Sequence, residues 1–296
     1  MLKFTNKQQV FEIGKVRFGG QPGKKRTVMV GSIFYPRHSI VEDRVMGKVK
    51  EGAMEKLLAA FESASEETGS PAGIMVYAET ERSICTHLEK VADLFKGPIF
   101  IDSPSAEVRV AGVIRAKQMG IEDRTIYNTI NAGVTEAELT AIKEHGISSS
   151  VLLAFNPGDI QAKGKIYLLE NGGGILPEGM IEMAQKNGVK RPLLDMAVMA
   201  SEQSAGSALR GIMIAKAKWG LPCGCAMHNA VESYAPLAKL QGDDRKLFRY
   251  VDVASAVMPI IAGADYVMFG PIESARRTMH AAAFADQLME QASSEL

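Results

Sequence analysis

The stretch PIFIDS (98–103), running almost directly into AEVRVAGVIRAKQMG (106–120), reads as one structural unit. An apolar run without polar alternation suits a strand covered on both faces, and the segment after it carries apolar residues at helical spacing. The same unit recurs on either side. TVMVGSIFY (27–35) precedes KEGAMEKLLAAFESASEETG (50–69), which stops at Gly69; GIMVYAE (73–79) precedes a helical pattern over 80–95; RTIYN (124–128) precedes TEAELTAIKEHG (135–146). SSVLLAFN (149–156), RPLLDMAV (191–198), PCGCAMHN (222–229) and DYVMFGP (265–271) supply four more strands, with helices expected near 177–187, 202–219, 246–262 and 273–293. Between the fifth and sixth strands lies a longer connection holding the Asn171-Gly-Gly-Gly174 turn. Eight β/α units predict a (β/α)8 TIM barrel, a fold of roughly 250 residues, and the 296 present leave room for an extension.

That extension is residues 1–26. Within it, QVFEIGKVRFGGQPGKKR (9–26) reads as two short alternating runs broken by glycines, a β-hairpin expected to cover the amino-terminal end of the barrel. No interior linker, low-complexity tract or charge run divides the chain, so residues 1–296 are expected to form one barrel domain.

Composition narrows the function classes. Lys plus Arg and Asp plus Glu number 34 each, so no excess of charge favours nucleic acid or an anionic membrane surface. Three cysteines are too few for a disulfide framework. No stretch approaches the ~20 uninterrupted apolar residues of a membrane span, and MLKFTNKQQV lacks the apolar region of a signal peptide. A cytoplasmic protein without membrane insertion is expected.

Right-handed crossovers make the strands parallel, which brings every carboxyl end to one face. Glu79, Asp102, Asn128, Asn156, Asp195 and Asn229 are expected there, with Ser103, Asn131 and Asp159 just beyond. The set contains carboxylates and amides but no Lys and no Ser-His pair, which argues against a Schiff-base aldolase or a serine hydrolase. It suits a flat heterocycle with alternating donors and acceptors, such as a pterin, because a carboxylate can receive an exocyclic amine together with the adjacent ring N–H. Asp102 and Asp195 directly end strongly apolar runs, where an unpaired carboxylate is costly. Asn156 opens N-P-G-D, a ready-made turn. Glu79, Asp102 and Asp195 could instead chelate Mg2+ in a metal-dependent TIM-barrel lyase. Cys223, Cys225 and His228 form a C-x-C-x2-H cluster with no fourth zinc ligand in view, so no metal site is expected, and buried cysteines more often act as small hydrophobes. Arg276 and Arg277 follow the last strand, and His38 follows the first at the rim.

IDSPSAEVRVAG (101–112), IYNTIN (126–131), LAFNP (153–157) and GGQPG (19–23) resemble the H subunit of tetrahydromethanopterin S-methyltransferase and its soluble bacterial relatives, over nearly the whole chain. The wider class consists of pterin-dependent corrinoid methyltransferases, (β/α)8 homodimers that move a methyl group between N5 of a tetrahydropterin and the cobalt of a corrinoid protein. The resemblance implies a methylcobalamin:tetrahydrofolate methyltransferase, with tetrahydrofolate or a related tetrahydropterin as methyl carrier, no metal bound directly, and the corrinoid supplied by a corrinoid-binding partner. It puts Asp102, Asn128, Asp195 and Asn229 at the pterin, with Asn229 at N5 and catalytic together with Asp195. Ser103, Glu79 and Asn156 are expected as further pterin-binding residues. A non-enzymatic protein that only docks the corrinoid carrier is the third reading.

Overall fold

The computed structural model describes residues 3–202, 204–240 and 242–295. Eight strands run β1 (Val28–Ile33), β2 (Ala72–Tyr77), β3 (Ile99–Asp102), β4 (Thr125–Ile130), β5 (Ser149–Leu153), β6 (Arg191–Asp195), β7 (Cys223–Cys225) and β8 (Tyr266–Pro271). Each pairs in parallel with its sequence neighbour and β8 returns to β1, closing the barrel. The helices are α1 (Glu51–Thr68), α2 (Glu81–Leu94), α3 (Ala106–Gln118), α4 (Glu136–Glu144), α5 (Ala162–Asn171), α6 (Met180–Lys186), α7 (Gly206–Trp219), α8 (His228–Glu232), α9 (Ala235–Ala238), α10 (Lys246–Ile261) and α11 (Ala275–Ser294). The expected TIM barrel is therefore present.

Local chemistry sets the helix limits. Thr80 and Thr135 close capping boxes at the starts of α2 and α4, and Ser105 caps α3. Helices α5 and α8, both close to the barrel mouth, were not expected. In α5 the apolar pattern is broken by Gly164, which packs so tightly that a β-carbon there would meet the Asp159 carbonyl oxygen at 1.9 Å. The Asn171-Gly-Gly-Gly174 turn is the C-terminal stop of this helix, with Gly172 in the left-handed conformation at φ 84°. Helix α8 begins where the seventh strand was expected to continue, because β7 holds only three residues.

The pleat assigns successive residues to opposite faces. Val30, Phe100, Ile126, Leu193 and Tyr266 point into the barrel, while Ile101, Tyr127, Leu194, Cys223 and Cys225 point out to the helices. The hairpin, Val10–Ile13 paired antiparallel with Val16–Gly19, sends Ile13 and Phe18 into the inner cluster and so plugs the amino-terminal end. Phe18 meets Phe100 and Tyr266 edge-on, with ring centroids 6.4 and 6.2 Å apart. Beside it the fully buried Lys216 donates to both oxygens of Asp265 (2.6 and 2.8 Å) and to the Gly20 carbonyl (2.8 Å), tying α7, the start of β8 and the hairpin together. Among the described residues no helix is long and apolar enough to cross a membrane.

Phe18→Ala is expected to lower unfolding free energy by about 3 to 5 kcal/mol, because the closed barrel cannot collapse onto the vacated volume. Urea denaturation measures it; a loss under ~1 kcal/mol would show that the hairpin does not contribute to the core.

Candidate functional site

The same alternation places the polar residues. Two positions beyond Phe100, Ile126 and Leu193 stand Asp102, Asn128 and Asp195, so all three face inward at the carboxyl-terminal end of the barrel. Asp102 and Asn128 lie side by side in register, and the Asn128 Nδ2 donates to Asp102 Oδ1 at 3.0 Å. The Asn128–Thr129 peptide is cis. Met75 of β2 lies below them, its sulfur 4.0 Å from Asn128 Nδ2 and 3.4 Å from the Ser32 hydroxyl. Asp195 Oδ1 accepts the Ala197 N–H at 2.9 Å. Among the described residues, the second carboxylate oxygens of Asp102 and Asp195 and the Asn128 side-chain oxygen take no hydrogen bond from the protein. Acceptors outnumber donors at the barrel mouth.

Burial dominates the electrostatics here. It pushes the Asp102 carboxyl up to about 6, against the pull of the Arg109 guanidinium and of Asn128. It pushes Asp195 up to about 7, against the Lys165 ammonium, the Ala197 N–H and His228. Both carboxyls thus titrate near neutrality, where a ligand carrying N–H donors favours the ionised form. Arg109 is itself buried; it donates to the Tyr127 hydroxyl at 3.0 Å, to the Ser103 carbonyl and to Glu138, which Tyr127 also contacts. This network joins α3, β4 and α4 and fixes the turn directly after Asp102.

Other predicted residues land elsewhere. Asn229 does not end a strand: it sits in the first turn of α8, and its Nδ2 donates to the Val198 carbonyl at 2.8 Å. That bond ties the donor end of the amide to the loop after β6 and leaves its oxygen as the end available to a ligand. Asn128 is followed by two more residues of β4. Glu79 lies two residues beyond β2, exposed on the rim, where it pairs with Arg44 at 3.3 Å. Asn156 is buried but serves its own turn, accepting the N–H groups of Gly158 (2.9 Å) and Asp159 (3.1 Å) and donating to the Gly173 carbonyl (3.3 Å). Ser103 is buried and accepts the Ser105 N–H at 3.2 Å. Asn131 and Asp159 form similar local turns with Gly133 and Gln161.

The remaining sequence signals resolve into structure. Cys223 and Cys225 belong to the outer apolar core, and His228 stands away from them on α8. Its ring lies over Gly270, where a β-carbon would come within 2.9 Å of Nδ1, so only glycine fits. His38 is buried rather than exposed, its Nδ1 accepting the Phe34 N–H at 3.0 Å. Arg276 and Arg277 are matched by Glu67 (3.2 Å) and Asp252 (3.7 Å). Among the described residues, no three His, Cys, Asp or Glu side chains converge to hold a metal ion. Two residues near the site went unread: Lys165, on the unexpected α5, and Arg109, inside a quoted motif but indistinguishable from a solvated helix arginine.

The raised Asp195 value carries a stability consequence. Its folded value of about 7 exceeds the unfolded ~4, so the neutral form is favoured in the folded state. The penalty is absent below ~pH 4, grows through pH 7 and is complete above it, amounting to roughly 4 kcal/mol. Asp195→Asn, which keeps an acceptor for the Ala197 N–H, is expected to flatten that decline in thermal scans from pH 4 to 8. An unchanged slope would place the titration on another group.

The family model for the tetrahydromethanopterin S-methyltransferase MtrH subunit matches residues 6–296. The chain is 39% identical to the H subunit of tetrahydromethanopterin S-methyltransferase from Methanothermobacter thermautotrophicus and 37% identical to the H subunit of a putative mtx methyltransferase from Methanosarcina barkeri. Each match covers 100% of this chain and 96% of the relative. Among solved structures, dihydropteroate synthase of Coxiella burnetii in complex with pteroic acid aligns with a TM-score of 0.62 at 11% identity, over 95% of this chain and 99% of that one. The enzyme of Xanthomonas albilineans in complex with 7,8-dihydropteroate gives 0.59 at 14%, over 97% and 99%. At such low identity these likenesses concern the barrel alone. The sequence match extends over almost the entire chain and places it, as a TIM-barrel protein, in the tetrahydromethanopterin S-methyltransferase MtrH subunit family.

Proposed function

We propose that this chain is a methyltransferase moving a methyl group between N5 of a tetrahydropterin, with tetrahydrofolate preferred, and the cobalt of a corrinoid carried by a partner protein. The observation that carries the reading is the inward trio Asp102, Asn128 and Asp195, whose unfilled oxygens match a heterocycle that presents an exocyclic amine and ring N–H groups. Asp195 takes the amine and its neighbouring ring N–H together; Asp102 and Asn128 hold the remaining pyrimidine edge. Each charge-assisted bond is worth ~1.5 to 3 kcal/mol, enough for three of them to fix the ring's orientation.

Orientation is most of what this reaction asks of the protein, since the chemistry of the methyl group belongs to its two carriers. Asn229, its NH2 tied to Val198, offers its oxygen to N5–H and turns the N5 lone pair toward the incoming methyl. In that direction the carbon–cobalt bond breaks with its electron pair left on cobalt, the carbon–N5 bond forms, and the N5 proton is released. A corrinoid is too large to enter the barrel mouth, so the partner docks on the carboxyl-terminal rim, where Glu79 stands. A homodimer in the cytoplasm, joined away from that rim, completes the reading. The metal-dependent lyase finds less support, because Glu79 is turned out to Arg44 and no chelating cluster forms among the described residues.

Calorimetry with tetrahydrofolate in the presence of EDTA is expected to show binding. Asp195→Ala is expected to weaken it by about tenfold to a hundredfold without unfolding the protein. Binding that vanishes with the chelator would favour the metal enzyme, and unaltered affinity in the variant would remove Asp195 from the site. Methylcobalamin and tetrahydrofolate together are expected to yield 5-methyltetrahydrofolate; tetrahydropterin binding without turnover would leave a docking protein.

A further inference from the structure

Lys165 is a charged group beside the site to which the proposed reaction gives no task. It lies on α5, in the connection between β5 and β6 and packed against α6 and α7, and the residue is 2% exposed. Its ammonium donates to the Ala197 carbonyl at 2.8 Å. The Ala197 N–H donates to Asp195 Oδ1 at 2.9 Å, so Ala197 is gripped at both ends, by the carboxyl through its N–H and by the lysine through its C=O. Ala197 has φ +28°, on the side of backbone space that a β-carbon disfavours. Such a conformation persists where surrounding bonds over-determine it, and these two do so.

We propose that Lys165 is a positioning residue for the site: its ammonium locks the Asp195–Ala197 turn and favours the ionised Asp195 carboxyl that a ligand's paired N–H donors require. The assignment rests on the pterin reading above for the identity of the ligand, and on geometry alone for the coupling. Several groups face Asp195 from the elements packed around it. Lys165 comes from α5, His228 from α8, the thiols of Cys223 and Cys225 from β7 and the Tyr266 hydroxyl from β8. Burial pushes both thiols and the phenol upward, so they stay neutral across the working range. The cations are Lys165 and, when protonated, His228. Burial pulls the Lys165 amine down while Asp195 holds it up, the reciprocal of what the lysine does to the carboxyl. The pair shares the cost of being charged inside the fold.

The test is the pH profile of tetrahydrofolate affinity between pH 6 and 9, by calorimetry, for wild type, Lys165→Met and Lys165→Arg. Lys165→Met is expected to lose about fivefold at pH 7 and to recover most of it by pH 9, because the carboxyl then ionises unaided. Lys165→Arg is expected to follow wild type more closely. A Lys165→Met profile lying on that of wild type, or below it by a constant factor at every pH, would overturn the proposal, the latter being what a purely structural lysine produces. A second readout needs no ligand: carbon-13 NMR of the Asp195 carboxyl should show its titration midpoint higher by about 1 on the pH scale in Lys165→Met. Should that variant not fold, nitrogen-15 NMR of the Lys165 amine should show its midpoint lower by a similar amount in Asp195→Asn. An unmoved midpoint overturns the coupling even where a pterin binds. Wild type that binds no reduced pterin at any pH overturns the functional reading, while the NMR titrations still decide the role of Lys165.

Discussion

Closure of eight parallel strands is the constraint on which the rest of the molecule depends. A closed barrel has one inner face, and the two-residue period of each strand decides which side chains share it. Phe100, Ile126 and Leu193 fill one inner layer, so the residues two positions on, Asp102, Asn128 and Asp195, must meet in the next. None of the three is near another in sequence. Their convergence costs nothing beyond the fold itself, and the hairpin that plugs the opposite end keeps the inner face dry beneath them.

A dry floor has an electrostatic consequence. Carboxyls placed over Phe100, Met75 and Leu193 lose water on one side, and both are pushed toward neutrality. The fold answers by bringing a buried cation near each: Arg109 stands near Asp102 and Lys165 near Asp195. The cations come from α3 and α5, and each also donates to a main-chain carbonyl in the loop just beyond the strand whose carboxylate it supports. Positive charge therefore supports the acceptors without standing among the inward-facing side chains at the barrel mouth. Burying such partial pairs is poor for stability and good for recognition, since a desolvated acceptor gains more from a ligand's N–H than a hydrated one does.

The barrel was legible because its evidence is repetitive. Each of the eight runs is too short to identify a strand by itself, but their alternation with helical segments leaves few topologies. The interior of the site was legible in part. Asp102 and Asp195 stand out because a carboxylate directly ends an apolar run. Asn229 was read in the right neighbourhood and in the wrong element, since three residues of β7 and a helix turn look like one longer strand in PCGCAMHN. For Asn156 and Glu79 the sequence could not show their partners: the amide oxygen of Asn156 takes N–H groups of its own turn, and the Glu79 carboxylate pairs with Arg44 across the rim.

Family, barrel order and the inward trio follow from the chain's periodicities and motifs, because spacing in sequence sets facing direction once strands are parallel. What only the tertiary structure decided is which polar atoms are already engaged and which charges lie behind them. Lys165 and Asp195 are joined through the main chain of Ala197, and Arg109 is held by Tyr127 and Glu138; such partnerships join residues from separate elements. Local pattern carries no trace of them, because a buried lysine and a solvated one have the same place in a helical repeat until a neighbouring strand removes the water.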